Sequence, residues 1–564
     1  MSAPTRRLAA AFSVALLVSA AAAYAAPAPP PRLVVLLVVD QMRGDFVERY
    51  GFQWSAGLRR LVDEGAWFRE AAYPYAVTST CVGHATISTG AFPASHGIVG
   101  NSWFDRAAGR STSCTADPAV TTISYGAPVS GGHSPWRLLV PTLSDELRAQ
   151  QGTPGRVATF SLKERTAIMM AGHRADAAVW FNATAGSFVT SSAYTTAPVS
   201  FVADALAKRP IAADHGKAWT RTLPEPSYLY SDDGLGEKPG SYWSARFPHE
   251  LKGKSGAPDG QFYDAWAKSP YADEYLGYLA VSAIDALKLG QGTTTDFLGV
   301  SFSVLDSVGH QFGPTSHEAQ DVLVRLDRTI GSLLAHLDRT VGAGRYVVAL
   351  AGDHGASPIP EQAAALGLGG GRLDVTGLRE AVAAALETAV GPGKYEVRFQ
   401  GSEFIFEPRV RERMEHDRAA VEAVRAAVRA VPGVAAAYFV ADLPAAAAAG
   451  DPVARALLAG NYPGRSGDLA VVPKPYWLFV TADGTPQPGS ATSHGTPYRY
   501  DQRVPVILFG SGVKPGEYLS DATPADIAPT LARLCGVTLA RRDGRVLAEA
   551  LSVHEARAAA PRQR

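Results

Sequence analysis

Arg32-Leu33-Val34-Val35-Leu36-Leu37-Val38-Val39-Asp40 is the stretch whose reading decides the fold. Its apolar residues run without alternation and are rich in β-branched Val, the pattern of a strand buried on both faces. Such a strand belongs in a parallel sheet covered by helices on both sides, and Asp40 then stands at its carboxyl end. Leu58, Leu61 and Val62 follow at helical spacing and Gly65 is placed to stop the helix, so the chain opens β then α.

The alternation continues. Residues 157–160 read as a strand leading into Leu162-Lys163-Glu164-Arg165, and residues 297–305 as another ending at Asp306. A long helix opens on Thr315-Ser316-His317-Glu318, a capping box, and carries Leu323, Leu326, Ile330, Leu333 and Leu337 on one face. Tyr346-Val347-Val348-Ala349-Leu350 runs into Gly352-Asp353-His354-Gly355, and Val504-Pro505-Val506-Ile507-Leu508-Phe509 forms a late strand after His494. The expected architecture is α/β: a large, mostly parallel central sheet flanked by helices. Two stretches break the rhythm. Residues 204–268, rich in Tyr, Trp, Pro and Gly, read as an inserted cap; residues 369–477, with the strand-like Tyr395-Glu396-Val397-Arg398-Phe399 and a helix over 421–431, read as a small α+β insertion. The core then comes in three parts, 32–203, 269–368 and 478–555.

With 53 Lys+Arg against 53 Asp+Glu in 564 residues, the overall charge gives no reason to expect nucleic acid or an anionic membrane as a specific partner. Residues 1–25 read as a secretory signal peptide: Arg6 and Arg7, an apolar run over 8–22, then Ala23-Tyr24-Ala25. The mature protein is expected to be exported to a bacterial periplasm and free of the membrane once the signal is cleaved. The oligomeric state is left open, a monomer being the favoured reading. Three cysteines, Cys81, Cys114 and Cys535, are too few for a disulfide framework, and the sequence leaves open whether Cys81 and Cys114 pair.

In Val77-Thr78-Ser79-Thr80-Cys81-Val82-Gly83-His84 a loop is expected to turn into a helix, so a hydroxyl of this stretch and the first backbone N–H groups point at one spot, a place for an anion. A hydroxyl needs activation before it can attack, and bound metal is one source of it. Acidic and imidazole side chains recur where strands are expected to end: Asp40, Asp306, His310, Asp353, His354 and His494. The crevice beyond the carboxyl ends of the strands is where an open α/β sheet binds its ligands. Carboxylate oxygen and neutral imidazole are the ligand types of catalytic zinc, and six such groups can hold two ions with positions left for substrate. Each signal alone is weak, since a lone Asp there is commonly a cap and Asp-x-x-x-His, as in Asp306 to His310, recurs by chance. Their conjunction, beside Gly309, Gly352, Gly355 and Gly495, points to a crowded site.

On these residues the chain resembles the alkaline phosphatase superfamily and, within it, the threonine-nucleophile, phosphate-insensitive bacterial alkaline phosphatases of the PafA type. The resemblance runs from about Leu33 to Asp526-Ile527-Ala528-Pro529-Thr530. It implies an alkaline phosphatase-like fold and a zinc-dependent hydrolase of small-molecule phosphate monoesters acting through phosphothreonine at Thr80. By the same resemblance Asp306, His310 and His494 hold one Zn²⁺; Asp40, Asp353, His354 and the Thr80 oxygen hold the other; and Asn101, Lys163 and Arg165 bind the phosphoryl group. Two cations suit a monoester dianion, to which Arg165 offers a planar fork and Lys163 a compact charge. The related nucleotide pyrophosphatase/phosphodiesterases are expected to lack this Lys-x-Arg pair. A phosphodiesterase on the same scaffold and a non-catalytic zinc-binding protein are the alternatives. The sulfatase motif Cys-x-Pro-x-Arg is absent, Gly83 and Ala85 standing at its Pro and Arg positions, and His84 and His96 read as structural.

Overall fold

In a computed structural model, residues 29–480 and 490–552 are described, so the signal peptide expected over 1–25 lies outside the described residues. The organising element is β1 (Leu33–Val39), all of it buried. Leu33, Val35, Leu37 and Val39 pack into one hydrophobic cluster and Val34, Leu36 and Val38 into another. An unalternated sequence is what such a strand requires, each buried aliphatic side chain contributing about 1.5–3 kcal/mol.

Nine further strands complete the sheet: β2 (Ala66–Phe68), β3 (Thr122–Ser124), β4 (Val157–Ser161), β5 (Ala177–Asn182), β6 (Ser187–Ser191), β7 (Asp296–Phe302), β8 (Tyr346–Gly352), β9 (Val506–Gly510) and β10 (Gly516–Tyr518). Their spatial order is β10-β2-β9-β8-β1-β7-β4-β5-β6-β3. The central run β8-β1-β7-β4-β5 is parallel, whereas β9 joins β8 antiparallel. Register brings the site together: Val39 lies beside Phe302 and Gly352, so β1, β7 and β8 end at one level with Asp40 and Asp353 side by side.

The helices that matter to the site are α1 (Thr80–Thr89), α2 (Glu164–Ala171), α3 (Pro270–Leu287), α4 (Val304–Phe312) and α5 (His317–Leu337). Three sequence expectations need correction. The strand expected over 297–305 ends at Phe302, and Asp306 lies in the first turn of α4. The buried Asp273 carboxylate, on α3, accepts the N–H groups of Ser303 and Val304 and so starts the helix early. The cap of α5 is Ser316, whose hydroxyl accepts from Ala319 N; Thr315 instead donates to Gln362, and Glu318 pairs with His249. The helix expected over 421–431 is Arg418–Ala430, because Val431 precedes Pro432 and takes an extended conformation.

Within 369–477 lie four strands of one small sheet, in the order Arg398–Gln400, Glu403–Ile405, Leu469–Pro473, Val434–Phe439, with a hydrophobic cluster of their own. Within 204–268, Trp219, Trp243, Phe262 and Trp266 are buried in the same cluster as β1. Among the described residues no helix is long and apolar enough to cross a membrane.

Cys81 and Cys114 form a disulfide across 33 residues, and Cys535 is free and buried. Closing a loop of that length stabilises the fold by about 3–4 kcal/mol on chain-entropy grounds. The double variant Cys81→Ala, Cys114→Ala should therefore unfold at a clearly lower denaturant concentration, and reductant should bring the unmodified protein down towards it.

Candidate active site

Thr80 is the first residue of α1, a helix in which every residue is buried. Gly83 lets this helix come so close to β8, since a Cβ there would lie 2.1 Å from the backbone oxygen of Asp353. That approach sets the Thr80 hydroxyl 3.4 Å from Nε2 of His354. His84, one turn on, donates from Nδ1 to the Thr80 carbonyl (2.9 Å) and meets the Ser301 hydroxyl through Nε2. His96 is buried and bonded to Thr86 and Ile98 N, and burial pushes its pKa down to about 3.

The three other candidate histidines share one arrangement. Nδ1 of His354 lies 2.9 Å from Gly355 O, that of His310 2.9 Å from Thr492 O, and that of His494 2.7 Å from Thr78 O. A carbonyl only accepts, so each Nδ1 carries a proton and Nε2 is the nitrogen each ring can offer to a metal. His310 Nε2 lies 3.2 Å and His494 Nε2 3.8 Å from Asp306 Oδ1, and His354 Nε2 lies 3.5 Å from both Asp40 Oδ1 and Asp353 Oδ2. Donor atoms of Asp306, His310 and His494 fall within 4.8 Å of one another, and so do those of Asp40, Asp306 and His354. The stacked rings of His354 and His494, 3.6 Å between centroids, join the two groups.

The charges fit cations. Asp40, Asp306 and Asp353 are all buried; Oδ1 of Asp40 has no hydrogen-bond donor, and Oδ2 of Asp353 has only the His84 Nδ1 at 3.2 Å, whose proton is directed to Thr80 O. Burial raises the Asp40 pKa well above the usual carboxylate range, and the charges of Asp306 and Asp353 raise it further. Burial opposes ionisation of Asp306 too, but Lys163 and His310 hold its carboxyl well below that range. Burial lowers the His494 pKa, reinforced by His354 and His310. Three buried carboxylates facing three imidazole Nε2 atoms form a candidate donor set for divalent metal, and a buried carboxylate oxygen without a full hydrogen bond is costly unless a cation meets it.

The phosphoryl-binding candidates divide. Asn101 and Arg165 line a cleft of about 570 Å³ that also reaches Thr80, Asp306, His310 and His494. The Asn101 Oδ1 accepts from Cys81 N at 2.8 Å, so its amide N–H groups are the part left to offer, and Nε of Arg165 is buried without a partner. Lys163 instead lies against the carboxylates, with Nζ 2.6 Å from Asp40 Oδ2 and 2.5 Å from Asp306 Oδ2. Burial opposes its charge, but Asp306 and Asp40 raise its pKa.

Sequence reading missed two parts of this region. Gln41 hydrogen-bonds to both Asp306 and Asp353; its place directly after Asp40 is the only local signal. Part of the cleft wall comes from the small sheet and its flank, including Phe399, Gln400, Glu403, Trp477 and Phe479, while no residue of 204–268 lines it. Gln400 Nε2 bonds to Ser102 and Ser111, docking that wall beside Asn101.

The type I phosphodiesterase/nucleotide pyrophosphatase family matches residues 34–497. Alkaline phosphatase PhoV of Synechococcus elongatus is 32% identical over 507 residues, 88% of each chain. A protein of Myroides odoratus named a calcium-transporting ATPase is 32% identical over 520 residues, 88% of this chain and 90% of that one. The crystal structure of alkaline phosphatase PafA superimposes with a TM-score of 0.83 at 29% identity, covering 93% of this chain and 99% of that one. The chain belongs to the type I phosphodiesterase/nucleotide pyrophosphatase family and, within it, is an alkaline phosphatase of the PafA type.

Proposed function

We propose that this phosphatase acts on phosphate monoesters by passing the phosphoryl group through Thr80, with two Zn²⁺ ions, in the periplasm. The observation that carries the reading is the meeting, in one cleft, of the Thr80 hydroxyl at a helix N-terminus with an Asp/His donor set, the Asn101 amide and the Arg165 guanidinium. Asp306, His310 and His494 would hold one ion, and Asp40, Asp353, His354 and Thr80 the other. Zinc in such a site supplies positive charge and Lewis acidity to the reacting oxygens.

The chain's own groups account for the rest. Thr80 Oγ1 attacks phosphorus, its P–O bond forming as the bond to the organic oxygen breaks, and the alcohol leaves with a proton. Arg165 and the Asn101 amide hold the non-bridging oxygens, where charge is spread during transfer. Lys163 adds its charge from beside Asp40 and Asp306. Water then cleaves phosphothreonine, returning the Thr80 hydroxyl and releasing inorganic phosphate. Two in-line displacements retain configuration at phosphorus. The Cys81–Cys114 disulfide supports export, since such bonds persist in oxidising compartments.

The family also contains phosphodiesterases, and the Lys163/Arg165 pair is what favours the monoester. Metal analysis together with turnover of an aryl phosphate and its methyl diester, before and after chelation, tests the reading. Two zinc ions per chain, a faster monoester, and loss on chelation with recovery on zinc addition are expected. A marked diester preference, or turnover untouched by chelation, would contradict it.

A further inference from the structure

We infer that Gln41 is a positioning residue that fixes Asp306 and Asp353 relative to the end of β1 and thereby sets the site's affinity for divalent metal. This rests on the reading that those carboxylates hold metal. Gln41 is a buried, non-glycine residue with φ at +67°, a conformation that side chains other than Asn and Asp rarely take. The turn has two results. Its backbone N–H donates to Asp353 Oδ1 at 2.9 Å, and its side chain donates from Nε2 to Asp306 Oδ1 at 2.7 Å. Because a carboxylate only accepts, the amide orientation is fixed, with Oε1 turned to Gly309. Space is kept for it there: a Cβ on Gly309 would lie 1.8 Å from that oxygen.

One residue thus reaches a carboxylate of each proposed ion site, next in sequence to Asp40, while sitting in backbone geometry that persists only where its surroundings demand it. Hydrogen bonds that orient ligating carboxylates typically change metal affinity about 10- to 100-fold when removed.

The test compares Gln41→Asn and Gly309→Ala with the unmodified protein. Zinc affinity is read by competition with a chromophoric chelator, and thermal unfolding of the metal-stripped proteins is followed alongside. Asn accepts positive φ and keeps an amide, but one methylene less puts Asp306 out of reach. It should bind zinc about tenfold or more weakly, a loss larger than any lowering of the metal-free unfolding temperature accounts for. Gly309→Ala favours the helix but displaces the Gln41 amide, and should weaken zinc similarly with residue 41 untouched. Wild-type zinc affinity in Gln41→Asn, or a loss matched by equal destabilisation of the metal-free protein, would overturn the inference; if Gln41→Asn does not fold, Gly309→Ala decides alone. Absence of zinc binding by the unmodified protein would instead defeat the metal reading on which it rests.

Discussion

Thr80→Ala is expected to lower phosphate release from an aryl monoester by about 10³-fold or more, because it removes the proposed nucleophile and leaves only direct attack by water. The loss should not come from unfolding. Thr80 is the first residue of α1, where alanine is compatible with the helix, and its hydroxyl makes a single long contact, 3.4 Å to His354. Metal content should therefore stay close to that of the unmodified protein, with only one oxygen removed from the donor set. Thr80→Ser keeps the oxygen but loses the methyl group that restricts χ1, so its deficit should be about tenfold or less. Measuring kcat and zinc content for both variants separates a missing nucleophile from a damaged metal site. Turnover in Thr80→Ala near the wild-type rate would remove Thr80 from the mechanism.

The next largest effect belongs to the cationic pair. Lys163→Ala, Arg165→Ala should lose about 10²–10³-fold in kcat/KM for a monoester and clearly less for the matching methyl diester. The reason is charge. A monoester carries one more negative charge than a diester, and a unit charge ~4 Å from a cation is worth about 4 kcal/mol at an effective dielectric of ~20, before desolvation takes its share. The single variants should differ. Arg165 lines the cleft with an unpartnered Nε, so Arg165→Ala should act chiefly on the substrate. Lys163 sits between Asp40 and Asp306, so Lys163→Ala should also alter zinc affinity, which the chelator competition reads. Equal losses on both substrates would contradict the role given to the pair.

Much of the architecture was legible because it follows from local pattern. The unbroken apolar run of β1 required two covered faces, and the covered parallel sheet follows from that. The candidate ligands were legible for a related reason: in a parallel sheet the carboxyl ends gather at one edge, so Asp40, Asp353 and His354 converge through register alone. Asp306 was identified but misplaced. Its helix begins at Val304 because Asp273, distant in sequence, accepts the first two N–H groups. Gln41 was invisible because no propensity signals a long polar side chain at positive φ; only the surrounding carboxylates explain it. The wall carrying Phe399 and Glu403 escaped for a third reason. Tyr395-Glu396-Val397-Arg398-Phe399 read as strand-like, but where the small sheet docks depends on contacts such as Gln400 to Ser102 and Ser111, which span nearly 300 residues.

The claim on which the mechanism turns is that Thr80 carries the phosphoryl group. Acid quench during steady turnover of a monoester, followed by proteolysis and mass spectrometry of the peptide spanning Val77 to His84, addresses it directly. One phosphoryl group on Thr80 is the predicted result, present in the zinc-loaded enzyme with substrate and absent after chelation. Phosphate found on Thr78, Ser79 or another residue, or no covalent phosphate in enzyme shown to be turning over with net inversion at phosphorus, would contradict it.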